Sequence, residues 1–419
     1  MKRVSVRERI GAGVGLSAIA ALFQVIAFCV NNLLAHVLGP GAFADYALLS
    51  TDFSLFGAVA EFGTGVVILS FFAGRLRNPS VARAIFRLRL LLALLAAVLM
   101  SALAVSFRAH GGLALPGIFL ALGFLVSPGI VDWYFLGTRD WKRLVRFKLI
   151  QAGTYVLVAA VLFAVGFRSL EPVCLAISLV PLPAFLYAKR FVPGRPGPLR
   201  PSQRRLLRLM LKSSFPYALS GLASFAFLPA VLYAVNACWI EDGGRAAFTA
   251  AYKIVFVLQV FTLQFLTSEQ VFSQRGLELS PGEKLRRCAL YGLAASGAVL
   301  PFAAAGRWIP RLLFFGLDWT PAMGATADWT MRVLLASIVL QFVRMPALAQ
   351  FLADRKIGLS AGITVCAGAA NLLSLLFAAR FRPEQLALFG LAGDVLSTAL
   401  MVSVYARAGR RGSGVETRG

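Results

Sequence analysis

The chain has 419 residues, 59% of them hydrophobic and only 14% charged, with a mean hydropathy of +0.77. A soluble protein of this length is nearer half apolar and a quarter charged, so an ordinary water-soluble enzyme or binding domain is excluded. The net charge of +24 would suit a nucleic-acid binder, but basic residues also collect in the cytoplasmic loops of membrane proteins, and their placement decides for the membrane.

Lys2, Arg3, Arg7 and Arg9 lead into an apolar run over 12–37, longer than a signal-peptide core and therefore read as an uncleaved first span. Further runs follow at 43–73, 84–106, 113–136, 149–167, 170–188, 213–239, 247–272, 288–305, 327–352, 357–379 and 384–406. Each is about the length needed to cross the hydrocarbon layer, and they predict an all-α polytopic membrane protein with about twelve transmembrane helices. The runs are continuous rather than alternating, which excludes a β-barrel. With a cytoplasmic N-terminus, 32 of the 42 basic residues fall in segments on that side and 7 in the external loops. The remaining three, Lys253, Arg332 and Arg344, lie inside spans. That bias places both termini in the cytoplasm.

The connection 191–212, FVPGRPGPLRPSQRRLLRLMLK, sits at the midpoint and reads as a flexible or surface-lying basic linker. It divides a six-helix lobe over 1–190 from a second over 213–407, and 408–419 forms a tail. A shift of 205 residues sets Asn31 on Asn236, Gly39 on Gly244 and Phe43 on Phe248, which points to two pseudo-symmetric repeats. The external loop 306–329 holds three tryptophans and two prolines and reads as an interfacial helix and turn.

Polar residues inside spans are costly and mark helix contacts or a wet path. The first span carries Asn31, and the seventh carries Ser213, Tyr217, Ser220 and Ser224 at helical spacing. The eighth carries Tyr252, Lys253, Gln259, Thr262 and Glu269. Asp45 falls at the outer end of the second span, Asp52 reads as facing a wet cavity, and Glu61 reads as a gate carboxylate near the cytoplasmic end. Lys253 and Arg332 lie near outer ends, where long side chains reach water. Arg344 lies deeper, two residues before Pro346, with Glu269, Glu61 or an anionic ligand as candidate partners. Asp394, among the small residues of GLAGDVLS, reads as a carboxylate bonded between helices. Two histidines and five scattered cysteines make no metal or disulfide framework, and no nucleotide-binding loop or hydrolase motif occurs.

The segment VDWYFLGTRDWKRLVRFKLIQAG, from Val131, closes the fourth span and opens the fifth. Together with LGPGAFADYALLSTDFSLFGAVAEFGTG, SFPYALSGLASF from Ser214, LLFFGLDWTPA, and FLADRKIGLSAGITVCAGAANLLSLLF with Asn371, it resembles bacterial polysaccharide (O-antigen-type) flippases. These belong to the multidrug/oligosaccharidyl-lipid/polysaccharide exporter superfamily. Trp133, Phe135 and Gly137 match the aromatic-rich turn of that family, while Leu136 stands where Gln is usual and Glu61-Phe62-Gly63 replaces Asp-Leu-Gly.

The resemblance implies two lobes rocking about a central cavity in the bacterial inner membrane, without cofactor or metal. The cargo it implies is an undecaprenyl-diphosphate-linked oligosaccharide moved to the periplasmic face for O-antigen, capsule or exopolysaccharide synthesis. A polysaccharide polymerase and glycosyltransferases are the implied partners beside the lipid bilayer, with no nucleic acid. Arg344, Lys253 and Arg332 would meet the diphosphate, and Asn31, Gln259, Tyr217 and Tyr252 the sugars. Asp52, Glu61, Glu269 and Asp394 would be cavity or gate carboxylates. The alternatives are a cation-coupled multidrug exporter or a lipid II flippase of the same superfamily and, more remotely, a membrane glycosyl-transferring enzyme.

Overall fold

The computed structural model describes residues 6–68, 76–107, 112–138, 140–167, 169–192, 201–238, 241–272, 279–315, 317–354, 356–378 and 385–407. Within these it describes all side chains but those of 6–24, 28, 66, 128, 202, 228, 260–272, 352, 353 and 357. Among the described residues there is no strand, and nine helices are long and apolar enough to cross a membrane. Where they are described, the twelve expected runs fall mostly on helix.

The first two runs share one element, α1 (Val6–Glu61), which loses helical geometry only at Gly39 (φ 74, ψ 176), just before Pro40. After the short α2 (Thr64–Val67) comes α3 (Pro79–Phe107). The expected fourth span is not one helix. It runs as α4 (Ala114–Ala121), two 3-10 segments, Leu122–Val126 and Pro128–Ile130, and α5 (Asp132–Thr138). Pro128 explains the break, because a proline disfavours the helical region for its predecessor, and Ser127 is extended (φ −56, ψ 136). The lobe continues through α6 (Trp141–Val165), α7 (Leu170–Leu179) and α8 (Leu182–Lys189).

The chain forms two compact units, Met1–Leu222 and Ala223–Gly419. Residues 201–212 are not a loose connection but the first half of α9 (Pro201–Ser224), tied to the first unit by the Gln203 side-chain amide, which donates to the Ser80 carbonyl at 3.1 Å. The second unit holds α10 (Leu228–Cys238), α11 (Asp242–Phe272), α12 (Pro281–Ala304) and the short α13 (Ile309–Leu313) in the tryptophan-rich loop. It ends with α14 (Pro321–Ala353), α15 (Ile357–Ala378), α16 (Leu386–Phe389) and α17 (Leu391–Arg407).

Lipid is as apolar as leucine, so burying leucine inside the unit gains little, and close packing of small residues holds the helices instead. On α3 the buried face carries Ala82, Ile85, Ala93, Ala96 and Met100, while Leu91, Leu94, Leu95 and Val98 project outward. Equivalent helix pairs pack in each unit: α3 on α4, α4 on α7 and α6 on α8 in the first, α12 on α14, α14 on α17 and α15 on α17 in the second. The repeat-aligned Phe43 and Phe248 are both fully buried. Asn31 and Asn236 also behave alike. Each donates its amide to the carbonyl four residues earlier, Ala27 at 2.7 Å and Leu232 at 2.9 Å, and each leaves its buried Oδ1 without a partner.

A polar clamp runs through the core of the second unit. The expected seventh span breaks between α9 and α10, freeing the Ala226 carbonyl, and the fully buried Asn371 amide of α15 donates to it at 2.6 Å. The same side chain accepts the Gly393 N–H at 3.0 Å, so one asparagine ties the break to the start of α17.

Candidate functional site

A cluster of charge lies inside each helical unit. In the second, α14 and α17 face one another through Arg344 and Asp394, whose Nη2 and Oδ1 lie 3.0 Å apart. The carboxylate is 1% exposed, and the Arg344 side chain 16%. Ser337 donates its hydroxyl to the other carboxylate oxygen, and Gln341 donates to Ser337 at 3.2 Å. The Arg344 guanidinium also stands 5.6 Å from the Phe227 ring centre. Spacing along α14 explains the arrangement: Ser337, Gln341 and Arg344, four and three residues apart, share the face turned to α17. Among the described residues the partner of Arg344 is Asp394, beside the expected candidates Glu269 and Glu61. Glu61 belongs to the first unit, and the Glu269 side chain lies outside the described residues. The ion pair engages Nη2 and leaves the buried Nη1 with no hydrogen-bond partner among the described residues.

The first-unit cluster combines four helices. Glu61 ends α1, Arg89 lies on α3, Asp132 opens α5 and Lys148 lies on α6. Lys148 pairs with Asp132 at 3.7 Å. Arg89 is only 4% exposed, interacts electrostatically with both Glu61 and Asp132, and donates Nη1 to the Gly129 carbonyl at 2.9 Å. Sequence reasoning missed Arg89 by counting it among cytoplasmic loop residues. The signal was present: Ile85, Leu88, Arg89 and Leu92 repeat at helical spacing and are all buried.

Directly after Glu61 the chain turns through Phe62 (φ 45) and Gly63 (φ 62), and α9 passes so close that no side chain fits at Gly63. A β-carbon there would lie 2.4 Å from Tyr217 Cβ and 3.0 Å from the Ser214 carbonyl oxygen. The aromatic turn after Val131 is core rather than lining. Trp133 and Phe135 are buried, Trp133 donates Nε1 to the Ile130 carbonyl at 2.7 Å, and Phe135 contacts Phe147 and Phe191.

The remaining sequence candidates divide by environment. Asp52 is 2% exposed, so it is packed within the first unit instead of facing the expected wet cavity. Asn31 and Tyr217 are half-buried in that unit. In the second, Tyr252 is buried and stacked 6.1 Å from Phe256, while Lys253 and Gln259 are half-buried on the same helix. Arg332 is half-exposed and held by Asp328, one turn earlier, at 3.1 Å. No group of three or more potential metal ligands occurs among the described residues.

No family model and no curated protein sequence matches the chain. Solved structures do. An inward-facing multidrug resistance MATE family transporter of the MOP superfamily superposes with a TM-score of 0.67 at 16% identity, over 92% of this chain and 94% of that one. Lipid II flippase MurJ, in an inward closed conformation, gives 0.73 at 9% identity, over 93% and 87%. A MOP superfamily transporter from Pyrococcus furiosus gives 0.64 at 17% identity, over 96% and 93%. At these identities the likeness speaks for architecture, and on it the chain is a multi-pass membrane protein that shares the fold of MOP superfamily transporters.

Proposed function

We propose that the chain is a flippase that moves an undecaprenyl-diphosphate-linked oligosaccharide from the cytoplasmic to the periplasmic leaflet of a bacterial inner membrane by alternating access. It would serve surface polysaccharide synthesis beside glycosyltransferases and a polymerase, with no catalytic step of its own. The fold supports transport, and one observation carries the choice of an anionic lipid: the half-used guanidinium of Arg344. A diphosphate headgroup leaving water needs a cation in a poorly solvated place. Arg344 is such a cation, mostly buried, with Nη2 held by Asp394 and Nη1 still to be satisfied. A planar fork can serve a carboxylate and a phosphate at once, which an ammonium cannot do with the same geometry. Lys253, Arg332, Asn31, Gln259, Tyr217 and Tyr252 remain proposed contacts along the route, and Glu61, Glu269 and Asp394 its proposed gate or cavity carboxylates.

Deleting the gene is expected to leave lipid-linked glycan on the cytoplasmic face and to abolish the surface polymer; normal surface glycan in the deletion strain would refute the reading. At matched expression, Arg344→Ala should cut export about tenfold or more, the loss of one charge-assisted contact, and Arg344→Lys should cut it less. Equal export by wild type and both variants would make the residue structural. The likeness to MATE transporters favours a second reading, a cation-coupled drug exporter. It would be supported by drug hypersensitivity of the deletion strain with surface glycan intact.

A further inference from the structure

The first unit contains a cavity of about 220 Å³, partly open, beside its charge cluster. Glu61, Arg89, Ser54 and Ser127 are among the residues that line it, and Phe53 and Phe124, stacked 4.2 Å apart, form an aromatic wall. Glycines keep it empty. A β-carbon at Gly57 would meet only Phe124, at 4.0 Å, and one at Gly129 would sit 3.6 Å from Arg89 Nη1 and 3.9 Å from Glu61 Oε1.

Two features of this cavity select its ligand. The first is its mixed polar lining: the exposed Glu61 carboxylate accepts, and the Ser54 and Ser127 hydroxyls can both donate and accept, beside the buried Arg89 guanidinium. The second is charge balance. Glu61 and Asp132 cancel Arg89 and Lys148, so neither a phosphate nor an organic cation finds an uncompensated opposite charge here. A fixed guanidinium, an open carboxylate and two hydroxyls against an aromatic wall instead suit a neutral ligand that both donates and accepts hydrogen bonds and has an apolar face. The size fits as well: at about 220 Å³ the space exceeds the ~150 Å³ of an apolar cavity that takes one benzene ring, so it has room for one sugar ring.

We propose that this cavity is a subsite for a single neutral sugar ring, with Glu61 accepting from ring hydroxyls, Ser54 and Ser127 exchanging hydrogen bonds with others and Phe53 meeting the ring's C–H face. The proposal rests on reading the chain as a carrier of a lipid-linked oligosaccharide, and places one residue of that glycan in the first unit. It also gives Glu61 a role as ligand beyond that of a gate.

Saturation-transfer NMR on the full chain in nanodiscs tests it, with methyl β-D-glucopyranoside and methyl β-D-galactopyranoside as probes. Saturable transfer to at least one glycoside is expected. Glu61→Gln should weaken it by roughly tenfold, the loss of a charge-assisted hydrogen bond. Gly57→Leu, which fills the cavity from a helix that tolerates leucine, should abolish it, while Gly297→Leu, facing open space in the second unit, should leave it intact. No transfer to either glycoside, transfer undiminished in Gly57→Leu, or saturable binding of inorganic phosphate or tetraethylammonium in place of the glycosides would overturn the proposal. The flippase reading fails separately. Glycoside binding in a chain whose deletion leaves surface glycan normal would keep the subsite and remove the flippase, and the opposite pair of results would do the reverse.

Discussion

Asp394→Ala is expected to be among the most damaging single substitutions in the second unit, lowering its stability by about 3–5 kcal/mol. The cost comes from what the change leaves behind. Arg344 keeps its charge in a mostly buried position, loses its only ion-pair partner among the described residues, and Ser337 loses its acceptor. Thermal unfolding of the purified chain in nanodiscs reads this directly. The pair replacement Arg344→Leu with Asp394→Leu should recover most of the lost stability, because a buried ion pair is often no better than well-packed apolar residues. That double variant should nevertheless fail to export, since it keeps the packing and discards the cation. A wild-type melting temperature for Asp394→Ala would show that the pair does not hold α14 to α17.

Gly63→Ala carries the second large expectation. Two costs coincide at this position. The left-handed backbone (φ 62) costs an alanine about 1–2 kcal/mol, and the added methyl must displace the backbone and β-carbon of α9, an overpacking worth ~1–3 kcal/mol. Gly166 provides the comparison. It has a similar φ of 69 at the end of α6 but nothing within 4 Å of its would-be β-carbon, so Gly166→Ala should show the backbone cost alone. Similar losses in the two variants would mean that α9 yields easily at this contact. The glycine of the Glu61-Phe62-Gly63 triplet is thus required by a neighbouring helix as much as by its own turn.

The sequence made most of the helices legible, because hydropathy over ~20 residues is a strong signal in a chain that must satisfy its backbone within lipid. It also made Asp394 legible as a carboxylate bonded between helices, since the small residues of GLAGDVLS allow close approach. What it hid were contacts that depend on which helix faces which. Arg344 and Asp394 are far apart in the chain, and no local spacing links them. Arg89 was hidden for another reason. Counting basic residues by side assigns a charge near a span's end to water, yet α3 begins at Pro79 and carries Arg89 inward. Asp52 was misread because helical spacing gave its phase without saying whether that face met a cavity or a neighbour. The breaks at Pro128 and between α9 and α10 were invisible to hydropathy, which averages over them.

The Arg344–Asp394 pair also constrains how the protein is made. Arg344 is synthesised 50 residues before Asp394, about 3–10 s earlier at ~5–20 residues per second. During that interval α14 presents an uncompensated guanidinium, which costs ~2.5–3.5 kcal/mol at the centre of a lone inserting helix. Taken alone in an insertion reporter, α14 is therefore expected to partition poorly, and extending the reporter through α17 should rescue it unless Asp394 is replaced by alanine. The α17 helix thus completes the membrane integration of one made two spans earlier, so truncation before α17 should send the nascent protein to quality control and not merely shorten it.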